Sequence, residues 1–113
     1  MNKSVSIIIP AYNEEKKLAP TVNFVLVSLN KNSISDFEIL IFDDASTDKT
    51  GEVADELAKK YSQVRVIHNS KNMNLGYNIT RGFQLATKEY SGFVLGDNET
   101  DPETLDNIFQ NFL

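Results

Sequence analysis

The sequence contains no cysteine. That excludes a disulfide framework, a thiolate metal site and a cysteine nucleophile, and suits a reducing compartment. Its one histidine, His68, has no companion with which to hold a metal, so a structural or merely exposed role is expected for it. No apolar run approaches the roughly 18 residues of a membrane span. The head of the chain, "MNKSVSIIIPAYNEE", turns polar too soon for a signal peptide. The expectation is a chain free in solution, cytoplasmic or at the cytoplasmic face of a membrane. Basic charge is short as well: 11 Lys and Arg against 16 Asp and Glu leave a net charge of −5. The basic residues are scattered, which argues against a nucleic-acid-binding surface, because phosphate backbones are met by clustered Lys and Arg. Low-complexity tracts, internal repeats and linker-like stretches are missing too, and no domain boundary is visible. What is there is 113 residues, 41% hydrophobic and 24% charged, enough apolar material for one core in one domain.

Apolar runs alternate with helical periodicity along the whole chain. "VSIII", Val5 to Ile9, is a β-branched strand closed by Pro10 and buried on both faces. Leu18, Val22, Val25, Leu26 and Leu29 then recur at helical spacing, with Pro20 tolerated in the first turn, which predicts a helix from about Ala19 to Asn30. Phe37 to Phe42 is a second strand, and Val53, Ala54, Leu57, Ala58 and Tyr61 mark a helix from about Lys49. "VRVIH", Val64 to His68, is a third strand. Ile79, Gly82, Phe83 and Ala86 suggest a third helix, "GFVLG" from Gly92 a fourth strand, and "DPETLDNIFQNFL" a last helix capped by Asp101 with Pro102 at its first position. Such alternation predicts an α/β, three-layer architecture: a mainly parallel, Rossmann-like sheet flanked by helices.

In open parallel sheets ligands bind beyond the carboxyl ends of the strands, where helix N-termini favour anions. Each polar cluster of this chain falls at such an end: "PAYNE", Pro10 to Glu14; "DDASTD", Asp43 to Asp48; "NSKNMNLG", Asn69 to Gly76; and "GDNETD", Gly96 to Asp101. Each also has a purely structural reading. Ser46, Thr47 or Asp48 would cap the second helix, Pro10 and Asn13 would make a turn, and Gly76 would supply a positive φ or open the third helix. Those readings leave over an aromatic ring, Tyr12, presented on a rim, and two adjacent carboxylates, Asp43 and Asp44, at the end of a buried strand. Like charges there demand cationic or hydrogen-bonding partners. Asp97 and Glu99 form a second acidic pair, beside which the alternative is an Asx-turn or cap ahead of Pro102. A hard divalent cation, Mg²⁺ or Mn²⁺, takes one or two carboxylates plus substrate phosphates, and would turn an acidic pocket into a diphosphate site.

Four stretches together, "VSIIIPAYNEEKKL", "FEILIFDDASTDKT", "NMNLGYNITRGFQLA" and "YSGFVLGDNETDPETL", resemble the first half of a family 2 glycosyltransferase of the GT-A fold. The resemblance covers essentially the whole chain. It implies that residues 1–113 are a single domain, the nucleotide-sugar-binding part of such an enzyme, ending after the metal motif. It implies transfer of a sugar from a nucleoside-diphosphate sugar to a saccharide or polyprenyl-phosphate acceptor, by direct displacement with inversion and with Mg²⁺ or Mn²⁺ as cofactor. By position, Pro10, Ala11, Tyr12 and Glu14 would line the nucleoside pocket, with Tyr12 flanking or stacking on the base. Asp44 would hydrogen-bond the base, Asp43 would support the same loop, and Arg81 is a candidate to face the diphosphate. Asp97 and Glu99 would serve catalysis as metal ligands. Glu99 stands where the family's usual pattern has Asp, and the family's general base and acceptor half lie beyond these motifs.

Two other classes fit less of the chain. A receiver-like signalling domain would put "ILIFDD" at its first strand, whereas here a whole strand and helix precede it. A nucleotidyltransferase would show a glycine-rich basic loop near the first strand, and "PAYNEEKKL" has no glycine. A non-catalytic nucleotide-binding or interaction module remains the alternative; an open sheet edge invites pairing, which would make a homodimer.

Overall fold

A computed structural model describes residues 3–112. Four strands, β1 (Ser4–Ala11), β2 (Asp36–Asp43), β3 (Val64–His68) and β4 (Tyr90–Phe93), alternate with four helices, α1 (Leu18–Lys31), α2 (Thr50–Lys60), α3 (Asn74–Leu85) and α4 (Pro102–Phe112). All neighbouring strands pair in parallel, in the order β3-β2-β1-β4. The chain therefore works outward from β1 through β2 to β3, then returns across the sheet to place β4 on the other side of β1. Strand order reverses between β1 and β4, and a crevice opens at such a switch point beyond the strands' carboxyl ends.

Strand pleat divides the sheet into two faces. Ile7, Ile9, Ile39 and Ile41 point to one, where Leu18, Val22, Val25 and Leu29 of α1, Ala54 of α2, and Leu105 and Phe109 of α4 complete the larger core. Ile8, Leu40 and Phe42 point to the other and are fully buried, with Leu85 of α3 packed on them. Helix α3 lies very close here: a β-carbon on Gly82 would fall 2.4 Å from Ile8 Cγ1. Layers of helix, sheet and helix follow directly from β1 and β2 being buried on both faces along most of their length.

Polar ties fix the return to β4 and the last helix. Glu38, 8% exposed, accepts hydrogen bonds from Ser6 Oγ at 2.6 Å and from the Thr87 amide at 2.7 Å and hydroxyl at 2.9 Å. Burial pushes its carboxyl up, but these donors outweigh burial and hold it below the usual range. On the opposite face Asp106 of α4 accepts from Ser28 Oγ and Lys31 Nζ of α1, which docks the helix.

Several element bounds differ from the sequence expectation. Strand β1 runs through Pro10 to Ala11. Even-numbered residues of β1 turn their backbone groups toward β4, as the bonds from the Val94 and Gly96 amides to the Ile8 and Pro10 carbonyls show. The missing Pro10 N–H thus falls where β4 is already ending, and costs the ladder little. Helix α3 begins at Asn74, five residues before the Ile79 that signalled it, and Gly76 lies inside its first turn. Positive φ is supplied by Asn74 instead, at 67°. Strand β4 starts at Tyr90 rather than Gly92, and Tyr61 lies just past α2 as its C-cap. Asp101 does cap α4, accepting the Glu103 amide at 3.1 Å.

Candidate functional site

Each strand-to-helix passage at the carboxyl rim holds one non-glycine residue in the left-handed region: Asn13 (φ 53°), Ala45 (59°), Asn74 (67°) and Asn98 (56°). Such residues persist only where the surroundings hold them. The first two passages hold each other. The Asn13 side-chain oxygen accepts the Thr47 amide at 2.8 Å, and Ser46 Oγ accepts the Asn13 amide at 3.1 Å. Thr50 Oγ1 accepts the Glu14 amide at 2.8 Å. Ser46 and Thr47 are therefore spent on clasping the first loop, not on capping α2. Of the three candidate caps only Asp48 acts on that helix, accepting the Thr50 amide at 2.9 Å.

The adjacent aspartates face different partners. Asp43 Oδ1 accepts the Ser46 amide at 3.1 Å, bracing its own loop, while Oδ2 lies 2.8 Å from His68 Nδ1. Asp44, 4% exposed, accepts the Met73 amide at 2.7 Å, the Asn74 amide at 3.0 Å and Asn69 Nδ2 at 2.8 Å. Burial works to raise this carboxyl, and hydrogen bonds led by the Met73 amide overcome it, keeping Asp44 ionised below its ordinary range. A negative charge at the start of α3 also suits the helix dipole. Asp44 thereby seats the third passage against the second. The other hydrogen of the Asn69 amide bonds Asn78 Oδ1 at 2.7 Å.

Above that network a small cleft of about 100 Å³ is lined by Pro10, Ala11, Tyr12, Asp44, Leu75 and Asn78. Tyr12 and Leu75 are each 48% exposed, so the cleft has two apolar walls and a polar floor. Leu75 and Asn78 were not singled out by the sequence, although three-residue spacing places them on one face of a helix. Asn13 and Asn69 were missed in the same way, because their partners come from other loops.

Strand β4 delivers the second acidic pair to the same place. The Gly96 amide donates to the Pro10 carbonyl at 3.1 Å, and a β-carbon on Gly96 would stand 3.1 Å from Ala11 Cβ. A side chain at this position would crowd Ala11 and the Pro10 carbonyl, so glycine suits the close passage beside the first loop. Asp97 follows, its Oδ1 accepting the Glu99 amide at 3.1 Å across a turn centred on Asn98. Glu14 is the carboxylate that senses them. Burial first, then Asp97, with Glu99 and Asp48 adding against Lys17, hold Glu14 above the ordinary carboxylate range.

Among the described residues no three histidines or carboxylates converge into a group that could hold a metal unaided. Two carboxylates completed by phosphate oxygens and water is the usual Mg²⁺ arrangement. The donor set of Asp97 and Glu99, in a negative field strong enough to perturb Glu14, fits a divalent cation on those terms. Arg81 is not brought to this rim: it lies about two turns, ~10 Å, along α3 from Asn74, and its guanidinium reaches Gln84 at 3.4 Å.

Two larger depressions lie elsewhere. One of about 750 Å³, lined by residues such as Asn23, Asn30, Phe37 and Gln63, sits at the opposite ends of the strands. The other, about 580 Å³, is an apolar trough along edge strand β4, beside Phe93, Ile108 and Phe109. Neither is lined by charged groups, whereas the switch point gathers Glu14, Asp44, Asp97 and Glu99. No helix among the described residues is long and apolar enough to cross a membrane.

The profile of glycosyl transferase family 2 matches residues 6–113. The chain is similar to the glycosyltransferase EpsJ of Bacillus subtilis, with 38% identity over 94 residues, 83% of this chain and 26% of EpsJ. It is also similar to a dolichol-phosphate mannosyltransferase of Pyrococcus furiosus, 34% identical over 109 residues, 94% of this chain and 29% of that enzyme. Among solved structures, residues 1–349 of TarS from S. aureus in complex with UDP-GlcNAc superpose with a TM-score of 0.72 at 29% identity, covering 95% of this chain and 30% of that one. The chain thus spans about a quarter to a third of the length of these relatives.

Proposed function

The chain belongs to glycosyl transferase family 2, and from that membership we propose that it supplies the donor side of a sugar transfer from a nucleoside-diphosphate sugar to an acceptor hydroxyl or a lipid phosphate. One observation carries the reading. An aromatic-walled cleft and an acidic pair are joined through a single backbone contact, Gly96 to Pro10, at the point where strand order reverses. A nucleoside would occupy the cleft, its base against Tyr12 and Leu75, with Asp44 presenting a fixed negative edge to base or ribose donors. The diphosphate would then extend toward Asp97 and Glu99.

Those two residues would hold Mg²⁺ or Mn²⁺. The chemistry such a cation would supply is stabilisation of negative charge on the leaving diphosphate. The protein's own contribution is placement. The Asn13 clasp fixes Tyr12, Gly96 fixes the approach of Asp97, and Asp43 braces the loop that carries Asp44. Displacement with inversion follows from one attack on the sugar carbon, with the acceptor deprotonated by a base outside these residues. The UDP-GlcNAc complex of TarS supports the donor class, and the dolichol-phosphate mannosyltransferase supports a lipid-phosphate acceptor.

Calorimetric titration of UDP, GDP and their sugar conjugates, with Mn²⁺ or Mg²⁺ and again with EDTA, tests this. Binding of one nucleotide, weakened by EDTA, is the expected result. Failure of every nucleotide to bind would overturn the donor reading, and equal binding with EDTA would overturn the metal.

A further inference from the structure

His68 closes β3 in register with Asp43. Both ring nitrogens are engaged: Nδ1 lies 2.8 Å from Asp43 Oδ2, and Nε2 lies 2.8 Å from Asp55 Oδ1 on α2. A neutral imidazole has one N–H and one lone pair, and a lone pair facing a carboxylate is repelled; both contacts are attractive only when both nitrogens carry hydrogen. The two partners differ in kind. Asp43 is 7% exposed and shares its carboxylate with the Ser46 amide, whereas the Asp55 side chain is 56% exposed. Gly51 of α2 is pressed against the pair, since a β-carbon there would fall 2.7 Å from Asp43 Oδ2 and 3.4 Å from His68 Cε1. The next residue, Asn69, bonds the neighbouring Asp44. Consecutive residues of the third passage therefore grip consecutive aspartates of the second.

We propose that His68 is a positioning residue for the donor site, tying the Asp43–Asp44 corner to β3 and α2 through an imidazole that donates to two carboxylates at once. This rests on the donor reading only for what the corner binds; the tie itself does not depend on it. Asp43 from β2 and Asp55 from α2 are the charged groups that face the ring among the described residues. Their hydrogen bonds, Asp43 first, outweigh burial and raise the His68 pKa above its ordinary value. A raised histidine contributes fully below its unfolded value of about 6.5 and loses that contribution as pH rises through its folded one. On deprotonation the ring keeps its Nδ1–H toward buried Asp43 and loses the Nε2–H that faced Asp55, so the corner loosens from α2.

The test is an NMR pH titration of the whole chain. The His68 ring is expected to titrate above the ordinary value, with the Ser46, Asn69 and Met73 amides shifting at the same midpoint. Asp55→Asn should lower that midpoint, and His68→Gln should abolish the coupled shifts while the fold survives. A ring that titrates at or below the ordinary value, or amides that ignore it, would overturn the tie. Affinity for UDP or GDP, whichever binds, should fall several-fold across the same pH range and keep a flat profile in His68→Gln. A flat profile in the unmodified chain would overturn the positioning role. If neither nucleotide binds at any pH, the donor reading fails, and the positioning role with it, while the amide titration still decides the tie.

Discussion

Asp44→Ala removes a buried carboxylate on which three donors converge. Its loss leaves the Met73 amide, the Asn74 amide and one hydrogen of Asn69 without their acceptor. A hydrogen bond to a charged group contributes roughly 1.5–3 kcal/mol, and a stranded buried donor costs about 1–3. Asn74 is exposed and Met73 half-buried, so water recovers part of the loss. Asn69 also keeps its Asn78 partner. The net destabilisation works out at about 2–4 kcal/mol, a large share of the 5–15 kcal/mol typical of a domain. Urea unfolding at pH 7 should show it as a lower midpoint at unchanged slope. The deficit must also close in acid. A depressed carboxyl stabilises fully above its unfolded value of about 3.9, and that contribution is lost as pH falls through the folded one. A deficit under about 1 kcal/mol at neutral pH, or one that persists unchanged below pH 3, would refute the role given to this carboxylate.

Gly82→Ala should destabilise by about 1–2 kcal/mol, because overpacking against Ile8 outweighs the helix propensity gained. In an Ile8→Ala background the same change should be neutral or stabilising, as a double-mutant cycle in urea would show. Ala45→Gly should raise stability by about 0.5–1 kcal/mol, since a φ of 59° strains alanine and not glycine. Tyr12→Ala should leave the unfolding midpoint in place but cut nucleotide affinity about tenfold or more, the loss of one base–aromatic stack, read by calorimetry.

Strands β1 and β2 were legible because both of their faces are buried over most of their length, giving the runs Ile7–Ile9 and Ile39–Phe42, and edge strand β3 through its β-branched Val64, Val66 and Ile67. The start of edge strand β4, at Tyr90 rather than Gly92, was not, since burial alternates along Tyr90–Phe93 and Ser91 and Gly92 dilute the pattern. The start of α3 was hidden for a different reason: "NMNLG" carries the residues of a turn, and the helix begins there because Asp44 accepts its first amides from across the sheet. The rim itself could be located, since polar clusters at strand ends need only the alternation of elements to be placed together. Who holds whom on that rim could not. Asn13 bonds Thr47, Asp44 bonds Met73, and His68 bonds both Asp43 and Asp55; these pairs are distant in sequence and are set by the order in which β1, β2 and β3 lie side by side.

The most direct test of the central claim, that the switch point between β1 and β4 is a nucleotide-sugar donor site, is a map of amide shifts as UDP or GDP is added with Mg²⁺. The account predicts perturbation of Tyr12, Asp44 and Leu75 at the cleft, together with Asp97 and Glu99. Shifts confined to the hollow around Asn23 and Phe37, or to the trough beside Phe93 and Ile108, would contradict it.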